Sequence, residues 1–373
     1  MTAPTVTQPK PRPIRRITDA DALAMYEELS LVELGRLAHE ACAALHPEPY
    51  RTYVVDRNIN YSNICTAHCT FCNFKMRPGS PSAYVLSRDE LAAKIDELVA
   101  IGGTQILLQG GLVPGEILDF EWYCDLLRFI KRTYPHIHLH AFSPPEIAAF
   151  SQRFGLSLRE VLERLKEAGL DTIPGGGAEI LVDRVRDRIS VGKVRTEEYL
   201  EVMRQAHLIG MRTSVTMMFG HIETVPERIE HFRRIRELQE ETDGFTAFIP
   251  WTFQPIGTAL GRTPSLPPDR PRRPDGKHLV LANAQEYLKT LCLARLYLDN
   301  VSNVQASWVT QGPDVGQLAL FFGANDMGSV MMEENVVSAA GTTYRLGERD
   351  IRRLIADAGW RPCRRNCYYE PLE

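Results

Sequence analysis

The alternation of apolar and polar positions divides the chain into a helical opening and a long series of strand–helix repeats. Two helices are predicted, over about 19–28 and 31–45. The second opens with Ser30-Leu-Val-Glu33, a capping box in which the Ser side chain accepts from the Glu backbone amide and the Glu reaches back. From residue 52 onward, short β-rich runs occur at Tyr53–Ile59, Gln105–Gln109, Ile137–Phe142, Asp171–Ile173, Thr213–Phe219, Thr246–Phe253, Asn303–Val309 and Leu318–Phe322. Helical stretches lie between them, with S/T-x-x-E start signals at Ser87…Glu90, Ser157…Glu160 and Thr224…Glu227.

Strands that alternate with helices imply a parallel sheet with crossover helices. Eight strand candidates predict a closed (β/α)8 TIM-type barrel, with a six-strand partial barrel as the neighbouring architecture. The expected organisation is a disordered tail over 1–17, N-terminal helices over 18–50, the barrel over 51–330 and a helical C-terminal extension over 331–373. The proline-crowded insertion Thr263–Asp275 reads as a surface loop or, since it follows the sixth strand, as a lid.

Composition narrows the class. Of 373 residues, 44% are hydrophobic and 24% charged, which suits a soluble protein with a large core. A net charge of −4 gives no reason to expect nucleic-acid binding, and the basic clusters Lys10–Arg16 and Arg270–Arg273 read as solvated tail and loop. No apolar run reaches membrane-span length and the N-terminus lacks an apolar signal region, so no membrane partner and a cytoplasmic location are expected. Eight cysteines in a chain of this length do not suggest a disulfide scaffold. Cys42, Cys124 and Cys292 are isolated and read as small buried apolar residues.

Chemistry enters with Cys65, Cys69 and Cys72, spaced C-x3-C-x2-C, with Phe71 directly before the third. Three thiolates on one short loop can ligate three irons of a [4Fe–4S] cube and leave the fourth without a protein ligand. Zinc is the other reading of a cysteine triplet, with His68 as a fourth ligand, although no second C-x2-C pair follows. Cys363 and Cys367 repeat the C-x3-C spacing, but two thiolates are too few for an auxiliary cluster.

The loop Ile64-Cys-Thr-Ala-His-Cys-Thr-Phe-Cys-Asn73 resembles the radical S-adenosylmethionine superfamily. Gln109-Gly110-Gly111 resembles the glycine pair that contacts the methionyl group, and Ser214–Glu223 the strand and loop that line the adenine pocket. The resemblance implies a [4Fe–4S] cluster on Cys65, Cys69 and Cys72, with S-adenosylmethionine held by Phe71, Gly110, Gly111, Glu179, Gly220 and Glu223. Glu179 lies in Pro174-Gly-Gly-Gly-Ala-Glu-Ile180, where three glycines suggest backbone packed against a ligand; a Glu favoured by a helix dipole is the plainer alternative. His138 and His140 share a strand face, and His140 and His221 are the candidate bases, a satisfied core histidine being the competing reading.

Gly102–Gly111 and Phe245–Pro255 narrow the resemblance to the menaquinone and deazaflavin branch, over roughly residues 20–345, and within it to the cyclases of the futalosine pathway. That implies abstraction of the ribose C4′ hydrogen of dehypoxanthine futalosine and closure of a ring onto its benzoate. The implied partners are a small nucleoside-like substrate and a one-electron reductant such as flavodoxin or ferredoxin. Sister enzymes that form aminofutalosine or 5-deazaflavin are the nearer alternative. A zinc- or cluster-stabilised barrel acting as a binding protein is the more distant one.

Overall fold

The computed structural model describes residues 16–268 and 270–372, so all but the end of the expected 1–17 tail lies outside the described residues. Helices α1 (Asp19–Glu28) and α2 (Leu31–Leu45) come first, each opened by a capping box, Thr18 with Asp21 and Ser30 with Glu33. A long strand then bends at Val55 into β1 (Tyr50–Val54) and β2 (Asp56–Asn60). Alternation follows through α3 (Arg88–Ala100), β3 (Gln105–Gln109), α4 (Phe120–Thr133), β4 (His138–Ala141), α5 (Pro144–Phe154) and α6 (Leu158–Glu167). It continues through β5 (Thr172–Ile173), α7 (Asp183–Ile189), α8 (Thr196–Leu208), β6 (Arg212–Phe219), α9 (Val225–Thr242), β7 (Phe245–Thr252), α10 (Ala284–Tyr297) and β8 (Asn303–Val304). The remaining elements are α11 (Trp308–Gln311), α12 (Pro313–Ala319), β9 (Asp326–Ser329), α13 (Glu348–Asp357) and β10 (Arg361–Arg364).

Strands β2 to β8 form a seven-stranded parallel sheet in chain order, and β10–β1–β9 form a second parallel sheet. The two make one curled wall. β1 runs directly into β2, and a bridge between Gln305 and Asp326 carries the far edge across to β9. The α/β ring expected from the alternation is therefore a seven-stranded curl whose ends are joined through β9 and β1. Helices cover its outer face, so even the polar strand β2 is buried at all five positions.

The structure corrects the strand assignment in places. Leu318–Phe322, expected as the eighth strand, is the end of α12 and the turn after it, with Leu318 and Phe321 largely exposed. Gly312-Pro313 explains this, because proline at the first helical position is preset for a helix. The strand in that place is Asp-Met-Gly-Ser, a sequence with little β propensity of its own. Tertiary bonds make it a strand. The buried Asp326 carboxylate accepts from Arg365 at 2.6 and 3.0 Å, from Thr52 Oγ1 at 2.6 Å and from Gly328 N at 2.8 Å. Asn303–Val309 is extended only at Asn303–Val304, since α11 begins at Trp308. The extension after residue 330 is not wholly helical: β10 pairs in parallel with β1, Thr52 opposite Cys363.

The Asp326–Arg365 pair generates a stability prediction. Asp326→Ala leaves a buried guanidinium without its counter-ion, a change that costs about 3–5 kcal/mol. Urea unfolding should show a clearly lower midpoint; an unchanged midpoint would mean that the pair does not hold β9.

Candidate active site

The strand ends and their loops enclose a cavity of about 390 Å3 that runs from the cysteine loop down to the C-terminal segment. The loop after β2 is fixed by its neighbours. Cys65 N donates to Met76 O at 2.9 Å, Thr66 N to Leu112 O at 3.1 Å, His68 N to Val191 O at 2.8 Å and Thr70 N to Ile189 O at 2.9 Å. Gly111 allows this close approach: a Cβ there would lie 2.1 Å from the Ile64 carbonyl oxygen. Gly110 N donates to the buried Glu146 at 3.0 Å, and Glu146 also receives the Tyr61 hydroxyl at 2.7 Å. The glycine pair thus lines the cavity because its backbone is pressed against protein on the other side.

Cys65, Cys69 and Cys72 all line the upper end, together with Phe71. His68 is exposed and does not line it, so the structure does not bring it to the thiols as a fourth ligand. Among the described residues, no three His, Cys, Asp or Glu side chains converge on one metal ion. A cube asks for something different, because its three thiolates sit on three separate irons. The donor set, three thiols on one loop facing a cavity with an aromatic beside them, fits such a cluster.

Glu179 sits beside the thiols with φ 44° and its side chain 3% exposed, and Lys193 Nζ reaches its carboxylate at 3.2 Å. Lys193 was missed in the sequence, where Gly192-Lys193 after a helix carries no signal. It also lies 5.5 Å from the centroid of the Phe71 ring. Burial works against its charge, but negative charge on the sulfur of Cys69, in its thiolate form, and on Glu179 outweighs burial and holds the ammonium above the usual lysine range. Burial pushes the Cys69 thiol up to about 11, with Lys193 pulling the other way. The three glycines before Glu179 are explained by crowding within the sheet. A Cβ on Gly175 would lie 2.4 Å from Val215 Cα, and one on Gly176 would lie 2.5 Å from Gln109 Nε2.

Three expected site residues lie elsewhere. Gly220, His221 and Glu223 do not line the cavity. The fully buried Glu223 carboxylate accepts from Gly220 N and His221 N at 2.8 Å each and from Arg228 Nε at 2.9 Å, with Arg272 at 3.3 Å. Burial alone would raise its pKa, but Arg272, His221 and Arg228 overrule it and hold the carboxyl well below the usual range. Both His221 nitrogens are occupied: Nε2 lies 3.0 Å from Met218 O, and Nδ1 lies 2.8 Å from Ile222 N and 3.0 Å from Glu223 Oε2. This is a structural knot behind the sheet. Arg272 belongs to the proline-rich insertion and also binds Glu286 at 2.7 Å. The insertion is therefore anchored away from the cavity, and none of its described residues lines it. The mouth is bordered instead by Met331, Glu334, Val336 and Val337, whose sequence gave no sign of it.

His140 does line the cavity, with Nδ1 2.7 Å from Thr172 Oγ1 and Nε2 3.4 Å from Ser214 Oγ. Burial, with His138 and Arg365 adding repulsion, lowers its pKa to about 3, so the ring is neutral at physiological pH. Polar amides occupy much of the remaining wall. Asn58 Oδ1 and Gln105 Oε1 are buried acceptors without a protein partner, a state that ligand hydroxyls would relieve. The last part of the chain contributes Arg365, Cys367 and Tyr369 to the floor, whereas Cys363 does not reach it.

Comparison with known proteins adds the context. Residues 59–235 match the radical SAM superfamily, and residues 242–373 match the CofH/MqnC C-terminal region. The chain is 43% identical over 355 residues, 95% of its length and 91% of the relative's, to a cyclic dehypoxanthine futalosine synthase of Halalkalibacterium halodurans. It is 39% identical to an aminodeoxyfutalosine synthase of Thermus thermophilus, over 96% of this chain and 93% of that one. It is 37% identical to a 5-amino-6-(D-ribitylamino)uracil–L-tyrosine 4-hydroxyphenyl transferase of Methanococcoides burtonii, over 95% and 96%. Among solved structures, a methylornithine synthase superposes with a TM-score of 0.68 at 18% identity, covering 94% of this chain and 95% of that one, a likeness of fold. Among the described residues, no helix is long and apolar enough to cross a membrane.

The buried neutral histidine yields a pH prediction. An unfolded histidine titrates near 6.5, whereas His140 in the fold takes its proton only at about 3. Between these values the unfolded chain binds the extra proton, so this site's contribution to stability is intact above pH 6.5 and is lost as pH falls. In His140→Gln, the stability lost between pH 7 and pH 5 should shrink by about 2 kcal/mol in urea unfolding. An unchanged loss would show that His140 charges freely in the native state.

Proposed function

We propose a radical cyclase activity on dehypoxanthine futalosine for this chain, which belongs to the radical S-adenosylmethionine superfamily and to its branch of futalosine synthases and 4-hydroxyphenyl transferases. The observation that carries the substrate is the 43% identity to a cyclic dehypoxanthine futalosine synthase across 95% of this chain. Cys65, Cys69 and Cys72 hold the [4Fe–4S] cluster, and Phe71, Gly110, Gly111, Glu179 and Lys193 hold S-adenosylmethionine. When bound, that pair supplies a 5′-deoxyadenosyl radical that takes a hydrogen atom from the ribose C4′. A flavodoxin or ferredoxin in the cytoplasm delivers the electron.

The chain's own work is placement and proton handling. Glu179 and Lys193, paired at 3.2 Å, offer opposite charges to the two ends of an amino acid. Asn58 and Gln105 offer their open acceptors to substrate hydroxyls below. Holding one C–H bond against the radical carbon selects that position, and the enclosed walls keep other C–H and S–H bonds away from it. His140, neutral and facing the cavity, takes the ring proton that leaves as aromaticity returns.

Anaerobically prepared protein should contain about four irons per chain, and each of Cys65→Ala, Cys69→Ala and Cys72→Ala should lose them. Stoichiometric zinc without iron would sink the cluster assignment. Incubation with S-adenosylmethionine and C4′-deuterated dehypoxanthine futalosine should place deuterium in 5′-deoxyadenosine and give a product lighter by two hydrogens. Turnover of a vinyl-ether precursor to aminofutalosine instead would keep the branch and replace the enzyme. Lys193→Ala should raise the KM for S-adenosylmethionine about tenfold or more, the scale of a lost charge-assisted contact.

A further inference from the structure

The cyclisation proposed above liberates a proton inside an enclosed chamber, and the strands beneath that chamber contain a connected line of hydrogen-bonding groups. Thr172, the first residue of the two-residue strand β5, is almost completely buried. Its Oγ1 lies 2.7 Å from His140 Nδ1 and 2.7 Å from His138 Nε2. His140 lines the cavity; His138 does not, yet it is only partly buried. It is the first residue of β4, and Tyr368 packs edge-on against the ring with centroids 5.3 Å apart. One hydroxyl therefore joins a ring that lines the cavity to a partly exposed ring outside it.

One arrangement of the hydrogens satisfies every contact in a single outward direction. Ser214 Oγ accepts from Gly175 N at 3.1 Å and lies 3.4 Å from His140 Nε2, where its own hydrogen can be donated to an unprotonated ring nitrogen. His140 Nδ1 then carries the proton and donates to Thr172 Oγ1. The Thr172 hydroxyl, which has a single hydrogen, donates onward to His138 Nε2. Cys367 Sγ, 3.4 Å from Thr172 Oγ1, fits the second lone pair.

We propose that His140, Thr172 and His138 form a proton exit through the barrel floor, with Thr172 as the positioning residue that couples the two rings. This rests on the cyclase reading. In that step the ring C–H bond breaks and its electron pair stays with the ring. One electron leaves to a one-electron acceptor of the iron–sulfur class, and the proton goes to His140 Nε2 as the Ser214 hydroxyl hydrogen turns away from it. His140 releases its Nδ1 proton to Thr172 as the Thr172 hydroxyl proton passes to His138 Nε2, and His138 gives up its Nδ1 proton to water. Arg365 and His138 disfavour a cation on His140. Burial lowers the pKa of His138 as well, with Asp171 favouring the cation and Lys131, itself paired with Asp171, opposing it.

The test compares Thr172→Val with Thr172→Ser in the cluster-loaded enzyme. Valine keeps the shape and removes the hydroxyl; it should lower kcat for cyclisation about a hundredfold, the lower end of a lost acid–base contribution. KM should stay within about twofold, since the substrate contacts remain. 5′-Deoxyadenosine should accumulate in excess over cyclised product, and serine should restore coupling. Coupled turnover by Thr172→Val at the parent rate, or failure of serine to restore it, would overturn the relay. A second measurement needs no substrate: 15N NMR of histidine-labelled protein should show both His138 and His140 neutral with the proton on Nδ1. A proton on Nε2 of His140 would reverse the chain and overturn the proposal. If the parent enzyme does not cyclise dehypoxanthine futalosine, the substrate assignment fails, and the NMR result alone decides the relay.

Discussion

The ring depends on one buried carboxylate. Asp326 gathers Arg365, Thr52 and the amide of Gly328 around two oxygens, and so ties β1, β9 and the C-terminal segment together. Without it, nothing in Asp-Met-Gly-Ser favours an extended conformation, and the seven-stranded curl would have an open side. Burying a charge pair is expensive, but here each oxygen is satisfied twice, and additional hydrogen bonds of this kind are what offset desolvation. Arg365 is likewise satisfied, with Nη1 on Asn366 O and its guanidinium 3.7 Å from the Tyr369 ring centroid. The floor of the cavity follows from this arrangement, because the residues around Arg365 can reach the barrel interior only when Arg365 is docked.

Much of the architecture was legible in the chain because its signals are local. Capping boxes at Ser30, Ser87, Ser157 and Thr224 open helices as the spacing predicts. The β-branched runs at Gln105–Gln109 and Thr213–Phe219 are strands. The cysteine triplet, Phe71 and Glu179 meet around one cavity, as the resemblance implied. What was not legible depends on distant partners. Lys193 gains its place only because the helix before it returns to the cysteine loop, and β9 is a strand only through Asp326.

The failures at Gly220, His221 and Glu223 have a different cause. Their spacing is that of a ligand-binding turn, yet Glu223 and His221 spend their polar atoms on backbone amides, Met218 O and two arginines. Spacing identifies a turn with a satisfied carboxylate; it does not say which side of the sheet the carboxylate faces. The same holds for the glycines at 110–111 and 175–177. Glycine marks a crowded backbone, and here the crowding comes from Tyr61, Ile64 and Val215.

The placement of Cys367 and Tyr369 in the floor has a consequence for biogenesis. These residues follow every strand of the ring in the chain, and a ribosome delivers the cysteine loop long before it delivers them. Folding during synthesis proceeds from the N-terminal side, so the thiols can meet their inorganic cargo while the vessel still lacks a bottom. The substrate chamber is completed last, by translation itself. The nucleoside-sized pocket therefore stays unformed until Arg365 has been added and docked.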